Sequence, residues 1–133
     1  MFKSANHIAI YTTDRDEAVK FYRDILGMDC KFELVSESDG IRIAMMELGD
    51  MQIELLEDPA TLAGTVSGAR STQNHFAMEV DDIEEAYAYL KNKGVEMEER
   101  GIYSVPQFGP DNIKVAFFHG PNGERIEILQ YVR

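Results

Sequence analysis

The chain has 133 residues, 44% of them hydrophobic, enough for one compact domain or two fused half-domains, and folding at this size buries about two-thirds of the unfolded surface. Its 24 acidic and 13 basic residues leave a formal charge of −11, which repels phosphate backbones and anionic lipid surfaces, so neither nucleic acid nor a membrane is an expected partner. Cys30 is the only cysteine, the N-terminal residues lack the apolar stretch of a signal peptide, and no run is long enough to span a bilayer; the cytoplasm is the expected compartment.

The first predicted element is a strand over 5–12, in which Ala5, His7, Ala9 and Tyr11 share one face because side chains alternate along a strand. Asp14, with Glu17 three positions on, has the form of a capping box. The helix it starts places Ala18, Phe21, Tyr22 and Ile25 at helical spacing, and Gly27 stands where a C-cap glycine belongs. Three strands follow at 30–36, 41–48 and 51–56, separated by turn residues at 37–40 and 49–50. This unit is βαβββ. Residues 57–74 turn to Pro, Ala, Thr, Gly and Ser and read as a connection, with room for a short helical turn. A strand at 74–80 and a helix at 82–93, presenting Ile83, Tyr87 and Leu90 inward, open a second unit, which strands near 95–99, 114–119 and 124–130 complete. Residues 101–112 read as a proline- and glycine-punctuated loop longer than its counterpart, and long loops on a rigid sheet carry binding surfaces and lids.

The two units repeat one another. His7-Ile8-Ala9-Ile10 opens a segment that closes on Ile53-Glu54-Leu55-Leu56, and His75-Phe76-Ala77-Met78 opens one that closes on Ile126-Glu127-Ile128-Leu129. From His7 to Gly27 is 20 residues against 19 from His75 to Gly94, and from Ala44 to Glu54 is 10 against 11 from Ala116 to Glu127. Such agreement points to duplication of one unit. It also puts two histidines and two glutamates at matching positions, and those are side chains a divalent cation takes from a protein. A single strand histidine is more often a satisfied core residue, and a glutamate near a strand end is usually solvated. Here each glutamate is flanked by aliphatic residues that alternation sends to the opposite face, and enclosing several ionised groups is costly unless they are paired or bind a cation. Metal binding is therefore the expected role of His7, Glu54, His75 and Glu127. Arg125 shares a strand face with Glu127, where it either clamps an anionic substrate group or salt-bridges a local carboxylate. Tyr103, Phe108, Phe117 and Phe118 are candidates to line a pocket, or to pack as core. His119, before the turn 120–123, has no counterpart in the first unit and reads as a surface residue.

His7-Ile8-Ala9-Ile10 with 21–28, 75–82, and the stretch 115–127 through Gly120-Pro121-Asn122-Gly123 to Glu127 together resemble the vicinal oxygen chelate superfamily, over essentially the whole chain. That group includes glyoxalase I, methylmalonyl-CoA epimerase, extradiol dioxygenases and the fosfomycin and bleomycin resistance proteins. The resemblance implies an α+β fold in which two βαβββ modules form an open barrel-like metal-binding cup. It implies a single domain over 1–133, with module one at 1–57, a linker at 58–73 and module two at 74–133. It also implies one divalent metal ion, Ni²⁺, Co²⁺, Zn²⁺, Mn²⁺ or Fe²⁺, held by His7, Glu54, His75 and Glu127, with Glu127 and Glu54 as the catalytic carboxylates. Arg125, Tyr103 and Phe108 are the implied substrate contacts, and a homodimer acting on a small-molecule substrate is the implied assembly. A fourth ligand of the Glu54 kind is similar to glyoxalase I and the epimerases rather than to the dioxygenases. The expected activity is thus a glyoxalase I-type lyase or isomerase that moves a proton next to a carbonyl, with an acyl-CoA epimerase or a non-catalytic, ligand-sequestering protein as alternatives. The lysine-glycine-glycine segment of glyoxalase I has no match here, where Pro110-Asp111-Asn112-Ile113 stands in its place.

Overall fold

A computed structural model describes residues 1, 3–59 and 75–133. The fold is mixed α+β, with two sheets that do not close into a barrel, and the chain divides into two compact units, Met1–Ala69 and Arg70–Arg133.

In the first unit, strand β1 (Ile8–Tyr11) leads into helix α1 (Arg15–Lys20), and strands β2 (Asp29–Val35), β3 (Arg42–Leu48) and β4 (Met51–Glu57) complete a sheet of order β1-β4-β3-β2. The βαβββ order is the one expected. Asp14 caps α1 by accepting the Glu17 N–H at 3.1 Å. After Lys20 the helix widens into a π-helical stretch, Phe21–Ile25, in which the Leu26 N–H reaches the Phe21 carbonyl, and Gly27 ends it at a φ of 75° that other residues adopt only with strain. Ala18, Val19 and Tyr22 from this segment are buried together with Ala44, Met46, Ile53 and Leu55 of the sheet. Because Ile53 and Leu55 are buried, alternation sends Glu54 to the other face.

The second unit repeats the plan with strand β5 (Phe76–Glu79), helix α2 (Ile83–Asn92) and strands β6 (Glu96–Met97), β8 (Asp111–His119) and β9 (Arg125–Val132), in the order β5-β9-β8-β6. Asp82 caps α2 through the Glu85 N–H at 3.0 Å, and the Gln130 side chain accepts the Ile83 N–H at 2.8 Å, tying the helix start to β9. The helix packs on β6, β8 and β9, with Ile83, Leu90, Ala116, Phe118, Ile126 and Ile128 buried. The opposite face carries a second cluster of Ile113, Val115, Phe117 and Leu129, against which Tyr103, Val105 and Tyr131 pack.

One expectation is corrected here. Residues 101–112 are not a loop throughout, since they contain strand β7 (Tyr103–Phe108), paired antiparallel with the first part of β8. Tyr103 and Val105 alternate toward the cluster, and Pro106 is tolerated because β7 is an edge strand whose register shifts between Val105 and Phe108. The bend places Gln107 at a φ of 56°, with its N–H donated to Asn112 Oδ1 at 3.0 Å. The short helical turn considered for 57–74 falls largely outside the described residues. Among the described residues, no helix is long and apolar enough to cross a membrane.

Candidate functional site

The repeat seen in sequence has a structural cause. In the first unit β1 runs parallel to β4 with Ala9 opposite Glu54; in the second, β5 runs parallel to β9 with Ala77 opposite Glu127. Each histidine precedes its alanine by two residues, so alternation returns it to the face that carries the glutamate. The outcome is a matched His–Glu pair in each unit. His7 Nε2 lies 3.8 Å from Glu54 Oε1, and His75 Nε2 lies 2.8 Å from Glu127 Oε2.

The pairs differ in setting. The Glu54 side chain is 21% exposed, and His7 Nδ1 meets Asn6 Oδ1 at 2.8 Å, with Gln52 anchoring the same segment through the Asn6 carbonyl at 3.0 Å. The Glu127 side chain is only 10% exposed. Its neighbour across the ladder is Phe117, whose ring meets the His75 ring edge to face at 5.1 Å between centroids.

The 2.8 Å pair approaches the spacing of two ligands on one divalent cation, and the 3.8 Å pair is wider than it. With metal–ligand bonds of about 2.1 Å, adjacent ligand atoms lie roughly 3.0 Å apart in an octahedral shell and about 3.4 Å apart in a tetrahedral one. A histidine nitrogen and a carboxylate oxygen is also the mixed donor set that first-row transition metals accept. Among the described residues, no group of three or more His, Cys, Asp or Glu able to hold an ion comes together.

The other site residues expected from sequence fall in the second unit. Arg125 is engaged by Glu98, with Nε donating to Oε2 at 2.7 Å and Nη2 donating to Oε1 at 2.8 Å, while its guanidinium carbon lies 3.7 Å from the centre of the Phe117 ring. Tyr103 stacks on the same Phe117 ring, 6.5 Å away and inclined by 25°, and Arg100 covers Tyr103 at 3.5 Å. Phe108 sits at the end of β7, 52% exposed and away from the apolar cluster. Phe118 packs on the helix side as core.

Two groups carry more than the sequence conveyed. His119 is half-buried, with Nε2 at 2.9 Å from Glu98 Oε2 and Nδ1 at 3.2 Å from the Gly123 carbonyl. The Arg125 guanidinium, reinforced by His119, holds the Glu98 carboxyl below its usual range, and Glu98 in turn raises Arg125. Nothing local in sequence marks Glu98, because its partners lie on strands that meet it only in the folded sheet.

Known proteins resemble the chain in sequence and in fold. Over 118 residues the chain is 27% identical to mitochondrial methylmalonyl-CoA epimerase of Mus musculus, covering 86% of this chain but 64% of that protein, so it spans less than two-thirds of that relative's length. The fold matches a trypanothione-dependent glyoxalase I of Leishmania major with a TM-score of 0.75 at 22% identity, over 97% of this chain and 87% of that one. It also matches the fosfomycin resistance protein FosX of Listeria monocytogenes, complexed with Mn(II) and sulfate, with a TM-score of 0.71 at 15% identity, over 98% and 93% of the two chains. Residues 6–117 fit the model of one family, and with it the chain belongs to the Glyoxalase/Bleomycin resistance protein/Dioxygenase superfamily.

Proposed function

We propose that this protein is a divalent-metal-dependent enzyme that moves a proton on the carbon next to a carbonyl of a small-molecule substrate. The observation that carries the reading is the duplicated His–Glu pair, His7 with Glu54 at 3.8 Å and His75 with Glu127 at 2.8 Å. These four side chains are the ligands in this reading. A cation so held supplies Lewis-acid polarisation of a substrate carbonyl, which acidifies the neighbouring C–H.

Glu54 and Glu127 are the proton carriers in this reading. Each has two oxygens, so one can serve as ligand while the other accepts a proton at Oε. Glu127 is the less exposed of the two, 10% against 21% for Glu54, a setting that suits a general base. Expected from sequence first was a glyoxalase I-type lyase; the similarity to a methylmalonyl-CoA epimerase, together with Pro110-Asp111-Asn112-Ile113, favours acyl-CoA epimerisation over it. The acting form is a homodimer, which sedimentation at micromolar concentration checks.

The deciding experiment supplies Mn²⁺, Co²⁺ or Ni²⁺ and follows α-proton exchange of a methylmalonyl thioester in heavy water, with a methylglyoxal hemithioacetal as the parallel substrate. Glu127→Gln keeps an oxygen donor but loses the proton acceptor, so turnover should fall about a hundredfold or more while metal binding largely persists. Absence of both reactions with every metal, alongside tight binding of an aromatic or antibiotic ligand, makes the protein a sequestering member of the superfamily instead.

A further inference from the structure

Three strands of the second unit assemble a support behind the His75–Glu127 pair. Glu98 follows β6 directly and donates its backbone N–H to the Phe117 carbonyl at 2.9 Å. Register places Phe117 opposite Glu127 and His119 opposite Arg125, so these four side chains share one face. The Glu98 carboxylate takes the Arg125 guanidinium in a two-point fork at 2.7 and 2.8 Å, and its Oε2 also lies 2.9 Å from His119 Nε2. A forked pair fixes the plane of the guanidinium as well as its position. That plane lies against the Phe117 ring at 3.7 Å, and the same ring meets His75 edge to face.

We propose that Glu98 is a positioning residue of the site. By holding Arg125 against Phe117 it sets the ring that orients His75, and through His75 the geometry of the pair with Glu127. This rests on the reading that His75 and Glu127 act together as ligands. Residues behind metal ligands commonly change metal affinity about 10–100-fold when altered, because they decide how well a ligand is preoriented. Arg125 is accordingly a brace for the site, through the local carboxylate that the sequence reading set beside an anion clamp.

The test uses the whole chain and two readouts. In metal-free protein, long-range proton–nitrogen NMR follows the His75 ring in Glu98→Gln, Arg125→Lys and Phe117→Leu; separately, calorimetry measures Mn²⁺ affinity. The expected result is displacement of the His75 ring signals in all three variants, with Mn²⁺ bound about tenfold or more weakly by Glu98→Gln. If Phe117→Leu moves the His75 signals while Glu98→Gln and Arg125→Lys leave them at their wild-type positions, Glu98 does not position the ring and the proposal is wrong. Should Glu98→Gln fail to fold, Arg125→Lys decides alone, since lysine keeps the charge but loses the fork and the flat stack. A wild-type protein that binds no Mn²⁺, Co²⁺ or Ni²⁺ refutes the proposed function, and the metal-free ring signals then still decide the positioning role.

Discussion

Replacing each site histidine by alanine should cost unequal amounts of stability, although the two occupy matching positions in the repeat. In metal-free protein, His75→Ala removes a 2.8 Å contact to a carboxylate that is 10% exposed, and a hydrogen bond to such a charged acceptor is worth about 1.5–3 kcal/mol. It also removes the edge-to-face contact with Phe117, worth about 0.5–1.5 kcal/mol in a buried pair. Because the His75 side chain is itself one-third exposed, a loss of about 2 kcal/mol is expected, from the lower part of the summed range. His7→Ala removes a 3.8 Å approach, too long for a hydrogen bond, to a carboxylate twice as exposed, and should cost less than about 1 kcal/mol. Urea denaturation in the presence of a chelator, followed by far-UV circular dichroism because the chain has no tryptophan, measures both. A change in midpoint at unchanged slope reads directly as stability. Equal losses, or a larger one for His7→Ala, would refute the argument that burial and distance set the strength of these pairs.

Saturating metal should restore stability in the same assay: at a hundred times the dissociation constant, Mn²⁺ adds about 2.7 kcal/mol to the wild type. The Glu54→Ala/Glu127→Ala double variant should gain nothing measurable, and a full gain there would place the metal elsewhere. Glu98 has a depressed folded-state pKa set first by Arg125, so its ionic contribution is present above its ordinary value of 4.5 and disappears as pH falls through the lower folded-state value. Glu98→Gln should therefore destabilise at pH 7 by about 1 kcal/mol, with the gap from wild type narrowing in acid, as pH-dependent denaturation will show. Burial, and secondarily Glu33, pushes the Cys30 thiol above its ordinary value, so iodoacetamide at pH 8 should alkylate it more slowly than a small free thiol, with a rate that still rises above pH 9.

The two-unit plan and the His–Glu sets are legible in sequence because both depend on local periodicity. Alternation alone puts Glu54 on the face opposite Ile53 and Leu55, and Glu127 opposite Ile126 and Ile128, while Asp14 announces the helix start whose cap the structure shows. The matching offset of His7 and His75 from the strand partners Ala9 and Ala77 is the same information, read twice. Other features depend on which strands become neighbours. Pro106 and the glycines around it argue for a loop, but the free edge of β8 accepts a bulged strand there, and pairing of Tyr103 and Val105 with β8 overrides the local signal. The unequal closeness of the two His–Glu pairs follows from surroundings that differ between the units, Phe117 behind one and Asn6 beside the other. Glu98 and Arg125 stand 27 positions apart with nothing in the intervening residues to join them. Only the lateral packing of β6, β8 and β9 brings that carboxylate within a fork's reach of the guanidinium, because contacts across a sheet are fixed by strand order and register, which are properties of the folded chain as a whole.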